Sequence, residues 1–570
     1  MKSTLLILLF ILINDNIDKQ RLYVTKIMKV KNKHIKKTIM KLKYIWLLLI
    51  LIGLTACNDV EDILAENNVE TLSDEPLPEL TSGTANFSSF VALGDSNTSG
   101  MTDGALFVAG QQNSFPNLLS QKFALAGGGN FTQPLMNDNT GGLLLGGTQI
   151  APNRLVTTGG APLSLEDVIG PVTPTTNLLV NNPTGPFNNM GVPLAKAIHL
   201  IAPGYGDLNG LFVSPATANP FYVRMSSGPT ASILGEAMGQ SPSFFTLWIG
   251  ANDLQGYAGT GGDDSSPITD QPTFDFAIGT LISTLTSGGA QGVVVNIPYF
   301  SNQAHYTAVA WNVLDPDPEE GNLPAEQIPA LNGAFAALNG AFEFMGVPER
   351  SVVFSADGPS GVLIHDEDLP NIAATLAAVL QGGGVDASTA GVLANQYGQS
   401  RQATEDDFLV LPCSPIIGKV NVEYYTQLVL GGVPAETAGQ LSLNGLTYPL
   451  QDECVLVESE QLALYNATDN FNATLKAAAD GAGLAFVDMN AIMQEMSETG
   501  YPNGDFILTD ALVTGGSFSL DGLHGTAKGN VIIANEIMRA IDATYGSNFE
   551  AAGALMDVGN YPSNYSPLLP

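Results

Sequence analysis

Apolar residues along this chain fall into two rhythms. Short runs that stop at a glycine or a polar residue read as strands buried on both faces: Phe90-Val91-Ala92-Leu93 before Gly94, and Ser243 to Ile249 before Gly250. Val293 to Ile297 and Leu484 to Asp488 read the same way. Between and after them, Asn113 to Ala126, Phe276 to Ser287 and Glu460 to Gly481 carry apolar residues at helical spacing. Strands that alternate with helices predict an α/β class with a parallel, helix-covered sheet. Two stretches break the rhythm. Residues 127–190 are rich in Gly, Asn, Pro and Thr and predict long loops. Residues 301–455 hold the acidic turn Asp315 to Glu320, a helical pattern over Ile328 to Phe344, a strand pattern at Ser351 to Ser355 and a less regular part from 385. This stretch predicts an insertion over the carboxyl edge of the sheet, dividing a scaffold of residues 86–300 and 456–546 that ends in a tail at 547–570.

Charge changes the picture at the amino end. Of the 21 lysines and arginines, 11 lie in the first 56 residues beside only two acids. The remainder carries 10 basic against 53 acidic residues, a net charge of −43. Such a surface repels phosphate backbones and excludes nucleic-acid binding as an expectation. Lys41-Leu42-Lys43, the apolar run Tyr44 to Leu54 and the small residues before Cys57 have the order of a secretory signal. About 11 apolar residues are too few for a spanning helix, which needs roughly 20. The Leu54-Thr55-Ala56-Cys57 sequence resembles a bacterial lipobox, which implies lipidation of Cys57 and an exported protein anchored to a bacterial membrane, the outer one in this reading. The leader then spans residues 1–57, with translation starting at Met28 or Met40, and an acidic tether spans 58–85. Cys413 and Cys454 remain as a pair, and an exported protein predicts a disulfide between them. No Cys/His spacing matches a zinc site.

Candidate chemistry follows from where the strand runs stop. In an open parallel sheet ligands bind at the carboxyl ends of strands, and Ser96 sits just past the first one. A serine becomes a nucleophile only with a base and an oxyanion site. Of the five histidines, His34 lies in the leader, and His199, His305 and His365 have no companion motif; the acids 366–368 after His365 are consecutive and do not converge. His524 differs, because Asp521 precedes it by three residues across a glycine-containing turn. A carboxylate so placed accepts the imidazole Nδ1–H and leaves Nε2 to take a serine proton.

Gly94-Asp95-Ser96, Gly250-Ala251-Asn252-Asp253 and Asp521-Gly522-Leu523-His524, in this order, resemble the SGNH or GDSL-type hydrolases of lipids and carbohydrate esters. The resemblance implies a three-layer flavodoxin-like parallel sheet interrupted by a large insertion. It also implies Ser96 as nucleophile, His524 as base and then acid, Asp521 as the residue orienting His524, and Asn252 with the Ser96 N–H as oxyanion donors, Asp95 being structural. The chemistry needs no metal or organic cofactor. The family's further glycine donor aligns with Leu194 in Asn189-Met190-Gly191-Val192-Pro193-Leu194. Either Leu194 donates through ordinary backbone geometry, or Gly191 replaces it, or this donor is weakened. The expected activity is ester hydrolysis on a small or polymeric substrate. The alternative is a catalytically weakened lipoprotein that binds glycan or lipid. Phe221, Tyr222, Tyr299 and Phe300 are the aromatic residues considered for a substrate wall.

Overall fold

Five strands in a computed structural model form the central parallel sheet: β1 (Phe90–Gly94), β2 (Asn189–Gly191), β3 (Phe244–Trp248), β4 (Gln291–Val295) and β5 (Ala485–Val487). Their spatial order is 2-1-3-4-5. The chain therefore leaves β1 in one direction to make β2 and in the other to make β3. The described residues are 76–317 and 322–569, and residues from Leu77 onward cluster as one unit. Cys57, both candidate starts, most of the tether and part of the acidic turn lie outside the described residues.

Alternation along each strand divides the apolar residues between two helical layers. The helices that matter for the site are α1 (Ser96–Ser99), α2 (Phe115–Leu125), α3 (Ala251–Gly259), α4 (Gln271–Thr286), α5 (Ile328–Met345), α6 (Glu458–Ala482), α7 (Met489–Glu498) and α8 (Ala527–Tyr545). Val91, Leu93, Phe245, Leu247 and Val294 point to one face and pack with α3, α4 and α6. Phe90, Ala92, Phe244, Trp248, Val293 and Val295 point to the other and pack with α2, α7 and α8. Helix α6 shows why this works locally. Leu464, Thr468, Phe471, Leu475 and Ala479 recur every three or four residues and are all buried. Val531, Ala534, Met538 and Ile541 do the same for α8, which starts at a Thr526 cap whose hydroxyl accepts the Gly529 N–H.

A third core lies outside the sheet and draws its residues from 309–457. Helix α5 runs close to its sequence pattern, but Ser351–Ser355 is not a strand. The N–H groups of Val352 and Phe354 donate to the Asn339 and Asn332 side chains at 2.9 Å, and those amides donate back to the Val352 and Phe354 carbonyls. Two asparagines of α5 thus replace the neighbouring strand that an extended segment needs. Cys413 and Cys454 form a disulfide, with Cα atoms 5.6 Å apart.

Two further differences have clear causes. The 127–190 stretch is mostly loop and short hairpins, yet it ends in β2, which has three residues and opens on Asn189, too little to show a strand pattern. The predicted tether is fixed before residue 85: Thr84 donates to the Tyr545 carbonyl at 2.8 Å, and Ala85 and Phe87 are buried. The carboxyl-terminal stretch is fixed as well, with Phe549, Met556, Val558 and Tyr565 buried.

Candidate active site

Ser96 opens α1 at the carboxyl end of β1 and is 5% exposed. Asp95 caps that helix, its Oδ1 accepting the Asn97 N–H at 3.0 Å. Burial pushes the Asp95 carboxyl up to about 7. The Ser96 N–H is a first-turn donor that the helix cannot pair. Neither Ser96 Oγ nor His524 Nε2 has a hydrogen-bond partner among the described residues, so the two groups are not bonded to each other here. Catalytic hydrogen bonds commonly tighten only once substrate is bound.

Asp521 and His524 occupy the tight turn ahead of α8. His524 Nδ1 donates to Asp521 Oδ2 at 2.8 Å. Asp521 Oδ2 also accepts the Gly104 N–H at 2.6 Å. Its Oδ1 accepts the N–H groups of Leu523 and His524 at 2.8 and 2.9 Å, and the Ser519 hydroxyl at 3.1 Å. Burial alone would raise the Asp521 carboxyl, but the His524 charge and these donors hold it well below the usual carboxylate range. Burial likewise opposes a charged His524, and Asp521 overcomes it, raising the imidazole above its ordinary value. The Nδ1–H to Asp521 bond leaves Nε2 as the free acceptor.

The serine and histidine segments are stitched together just beyond α1. Asp103 donates its N–H to Ser519 Oγ at 2.9 Å, and its Oδ1 accepts the Leu520 N–H at 3.1 Å. With Gly104 on Asp521, three bonds join loop 103–104 to turn 519–521. Asn97, next to Ser96, lines a small cavity with Ser517, Phe518 and Gly525, which follows His524. Asp95 on the other side of Ser96 lies close enough for the His524 charge to act on its carboxyl. The structure thus brings Ser96, Asp521 and His524 into one region although more than 400 residues separate them.

Leu194 and Asn252 follow β2 and β3, the two strands that flank β1. The Val192 N–H donates to the Gly94 carbonyl at 3.0 Å, and Asn252 Nδ2 donates to the Ala195 carbonyl at 3.2 Å. Leu194 is held between these two anchors. Asp253 adds another, its Oδ2 accepting the Ala197 N–H at 2.8 Å. Leu194 does not use ordinary geometry: its φ is +64°, the glycine-favoured region, and the residue is 62% exposed. The Leu194 N–H has no acceptor among the described residues. Gly191 is committed elsewhere, since its N–H donates to Asn189 Oδ1 at 2.9 Å. Asn189 in turn donates to the Thr98 carbonyl and so holds β2 against α1.

Two positioning residues carry no motif. Asp103 is one; burial pushes its carboxyl up to about 7. His305 is the other, donating its N–H to the Gly522 carbonyl at 3.0 Å and its Nδ1–H to the Asp521 carbonyl at 2.8 Å. A Cβ on Gly522, whose φ is +72°, would stand 2.5 Å from the His305 nitrogen, so the turn accepts only glycine there. Both residues act across long sequence separations, which leaves no local signal. His199 Nδ1 accepts the Lys196 N–H at 3.1 Å and stacks on Tyr205; His365 sits in a two-stranded pairing with Ser400. Phe221, Tyr222 and Phe300 are buried, and Tyr299 bonds Asp469 through its hydroxyl, so none of the first three lines an open wall. No protein-family model, curated protein or solved structure matches this chain.

Proposed function

We propose that this chain is a serine hydrolase of the SGNH type that cleaves carboxylic esters, either lipid acyl esters or carbohydrate acetyl esters. The observation that carries the reading is the Asp521–His524 bond on a turn tied to the loop that follows Ser96. The 2-1-3-4-5 strand order supports it further. That flavodoxin-like order reverses between β1 and β3, and ligands bind at such a switch point. Ser96 follows β1 and Asn252 follows β3. On this reading 309–457 is an insertion in the scaffold.

In the proposed reaction Ser96 Oγ attacks the ester carbonyl carbon while His524 Nε2 takes its proton. The resulting oxyanion is met by the N–H groups of Ser96 and Leu194 and by the Asn252 amide, which has a second hydrogen besides the one on Ala195. The tetrahedral species collapses, the alcohol leaves with the proton from His524, and Ser96 holds the acyl group. Water then attacks the acyl carbon with His524 as base, and the acid leaves as Ser96 regains its proton. The basic leader and Cys57 support export and lipid anchoring, tested by labelling with a palmitate analogue that Cys57→Ser abolishes.

A fluorophosphonate probe tests the enzymatic reading. Wild-type protein labels and Ser96→Ala of equal helical content does not. Folded wild-type protein that fails both to label and to hydrolyse esters from acetyl to palmitoyl favours the binding lipoprotein instead.

A further inference from the structure

Three carboxylates that ester chemistry does not use converge where 309–457 rejoins the sheet scaffold. Glu367 follows the short strand Leu363–His365, Asp452 opens the turn Asp452–Cys454, and Glu460 stands in the first turn of α6. One oxygen from each lies within 4.8 Å of the others. The acids beside Glu367 are engaged elsewhere: Asp366 pairs with Arg401 at 2.5 Å, and Asp368 Oδ2 accepts the Ser459 N–H at 3.0 Å. Glu367 alone turns into the group.

Glu460 supplies the second, independent observation. It is 2% exposed, and its Oε2 accepts the Val457 N–H at 2.7 Å, but its Oε1 is buried with no donor. Around that oxygen the loop after α3 stands close. A Cβ on Gly262 would lie 2.0 Å from Glu460 Oε1, and one on Gly261 would lie 1.8 Å from the Asp452 carbonyl oxygen. The side chains acting on Asp452 are Glu367, Asp263 and Glu453, all acids. A buried acid with an unpaired oxygen facing two others needs a positive partner.

We propose that Glu367, Asp452 and Glu460 form a calcium-binding site that fastens segment 309–457 to the sheet scaffold. Ligands that are all carboxylate oxygens suit a hard cation and not a thiophilic or imidazole-seeking one. Ca²⁺ accepts flexible coordination by six to eight oxygens, whereas Mg²⁺ demands a near-ideal octahedron and gives up its waters reluctantly. The three ligands come from segments 85 and eight residues apart, so no loop motif announces them. Asp452 lies two residues from Cys454, and the ion and the disulfide therefore hold the same strap. The site stands whether or not Ser96 is a nucleophile.

Calorimetric titration of the full chain, stripped with a chelator, with CaCl₂ and with MgCl₂ tests the site. The expected result is one Ca²⁺ per chain at a dissociation constant of roughly 10⁻⁴–10⁻³ M, much weaker Mg²⁺ binding, and a Tm raised by a few degrees in calcium. Glu367→Gln, at an exposed position that leaves the fold intact, removes both the calorimetric signal and the Tm shift, while Ser96→Ala keeps them. Absence of calcium binding in the wild type overturns the proposal. So does binding that persists undiminished in Glu367→Gln, which would assign the ion to the general negative charge or to the Asp315–Glu320 turn.

Discussion

Asp521 and Glu460 are both carboxylates buried at the approach to a long helix, 9% and 2% exposed, and the chain surrounds them in opposite ways. Asp521 receives five donors: three backbone N–H groups, one hydroxyl and one imidazole. Its charge survives burial and holds one histidine in one tautomer. Glu460 receives one backbone donor and faces two other acids. Burial costs a carboxylate several kcal/mol in either place, and what decides its charge is the count of donors aimed at it. The first site is complete within the polypeptide; the second asks for a proton or a cation.

The sharpest way to break this contrast is to spoil the first site without moving it. Asp521→Asn keeps the size of the side chain but offers an amide to Nδ1. We expect a loss of about 10⁴ in kcat for ester substrates, with circular dichroism unchanged. Next in size is the strap that carries the second site. Cys454→Ser opens a bridge between residues 41 apart and should cost about 4 kcal/mol by the chain-entropy account, read as a lower denaturation midpoint. Fluorophosphonate labelling of Ser96 in the folded fraction should persist, because no site residue comes from that strap. Asn252→Ala removes the proposed side-chain oxyanion donor and a clamp on Ala195, and a fall of about 10²–10³ in kcat is expected with little change in KM.

Titration sharpens the comparison further. His524 must be neutral to accept the Ser96 proton, and Asp521 raises its pKa above the ordinary 6.5. The rate of acylation should therefore climb with pH along a limb lying above about 6.5, and Asp521→Asn should move that limb to lower pH. For stability the sign is reversed. The His524 contribution is full below about 6.5 and fades as pH rises through its raised value, whereas that of Asp521 is present above 3.8 and fades as pH falls through its depressed value. Urea midpoints across pH read both edges. The smallest effect is at Leu194. A leucine at φ +64° carries about 1–2 kcal/mol of backbone strain, partly offset in a glycine variant by unfolded-chain entropy. Leu194→Gly should stabilise the protein by about 1 kcal/mol and leave ester turnover in place.

What could be read in the sequence was what is local. β1, β3 apart from Thr246, and Val293–Val295 of β4 are apolar runs because both sheet faces are covered, and Asp521 and His524 are three residues apart because one turn holds both. Ser96 could be read because a strand end followed by small polar residues marks a sheet's binding edge. Asp103, His305 and the Glu367–Asp452–Glu460 group could not, since each acquires its role from residues far away in the chain. β2 was hidden by Asn188 and Asn189 at its start, whose amides serve the Phe90 carbonyl and α1 and not a core. The strand pattern at Ser351–Ser355 misled for the converse reason: its apolar residues suit a sheet, but its partner is a helix.

That last arrangement has a consequence for how the protein behaves in company. Four consecutive amides, from Val352 to Ser355, are each taken by a side chain: Asn339, Gln402, Asn332 and Ser360. An extended, valine-bearing segment near the surface would otherwise be a template on which another chain could add itself. With its donors already satisfied from within, this stretch offers an incoming strand no free N–H, and the molecule keeps an apolar ribbon with half of its edge already used up.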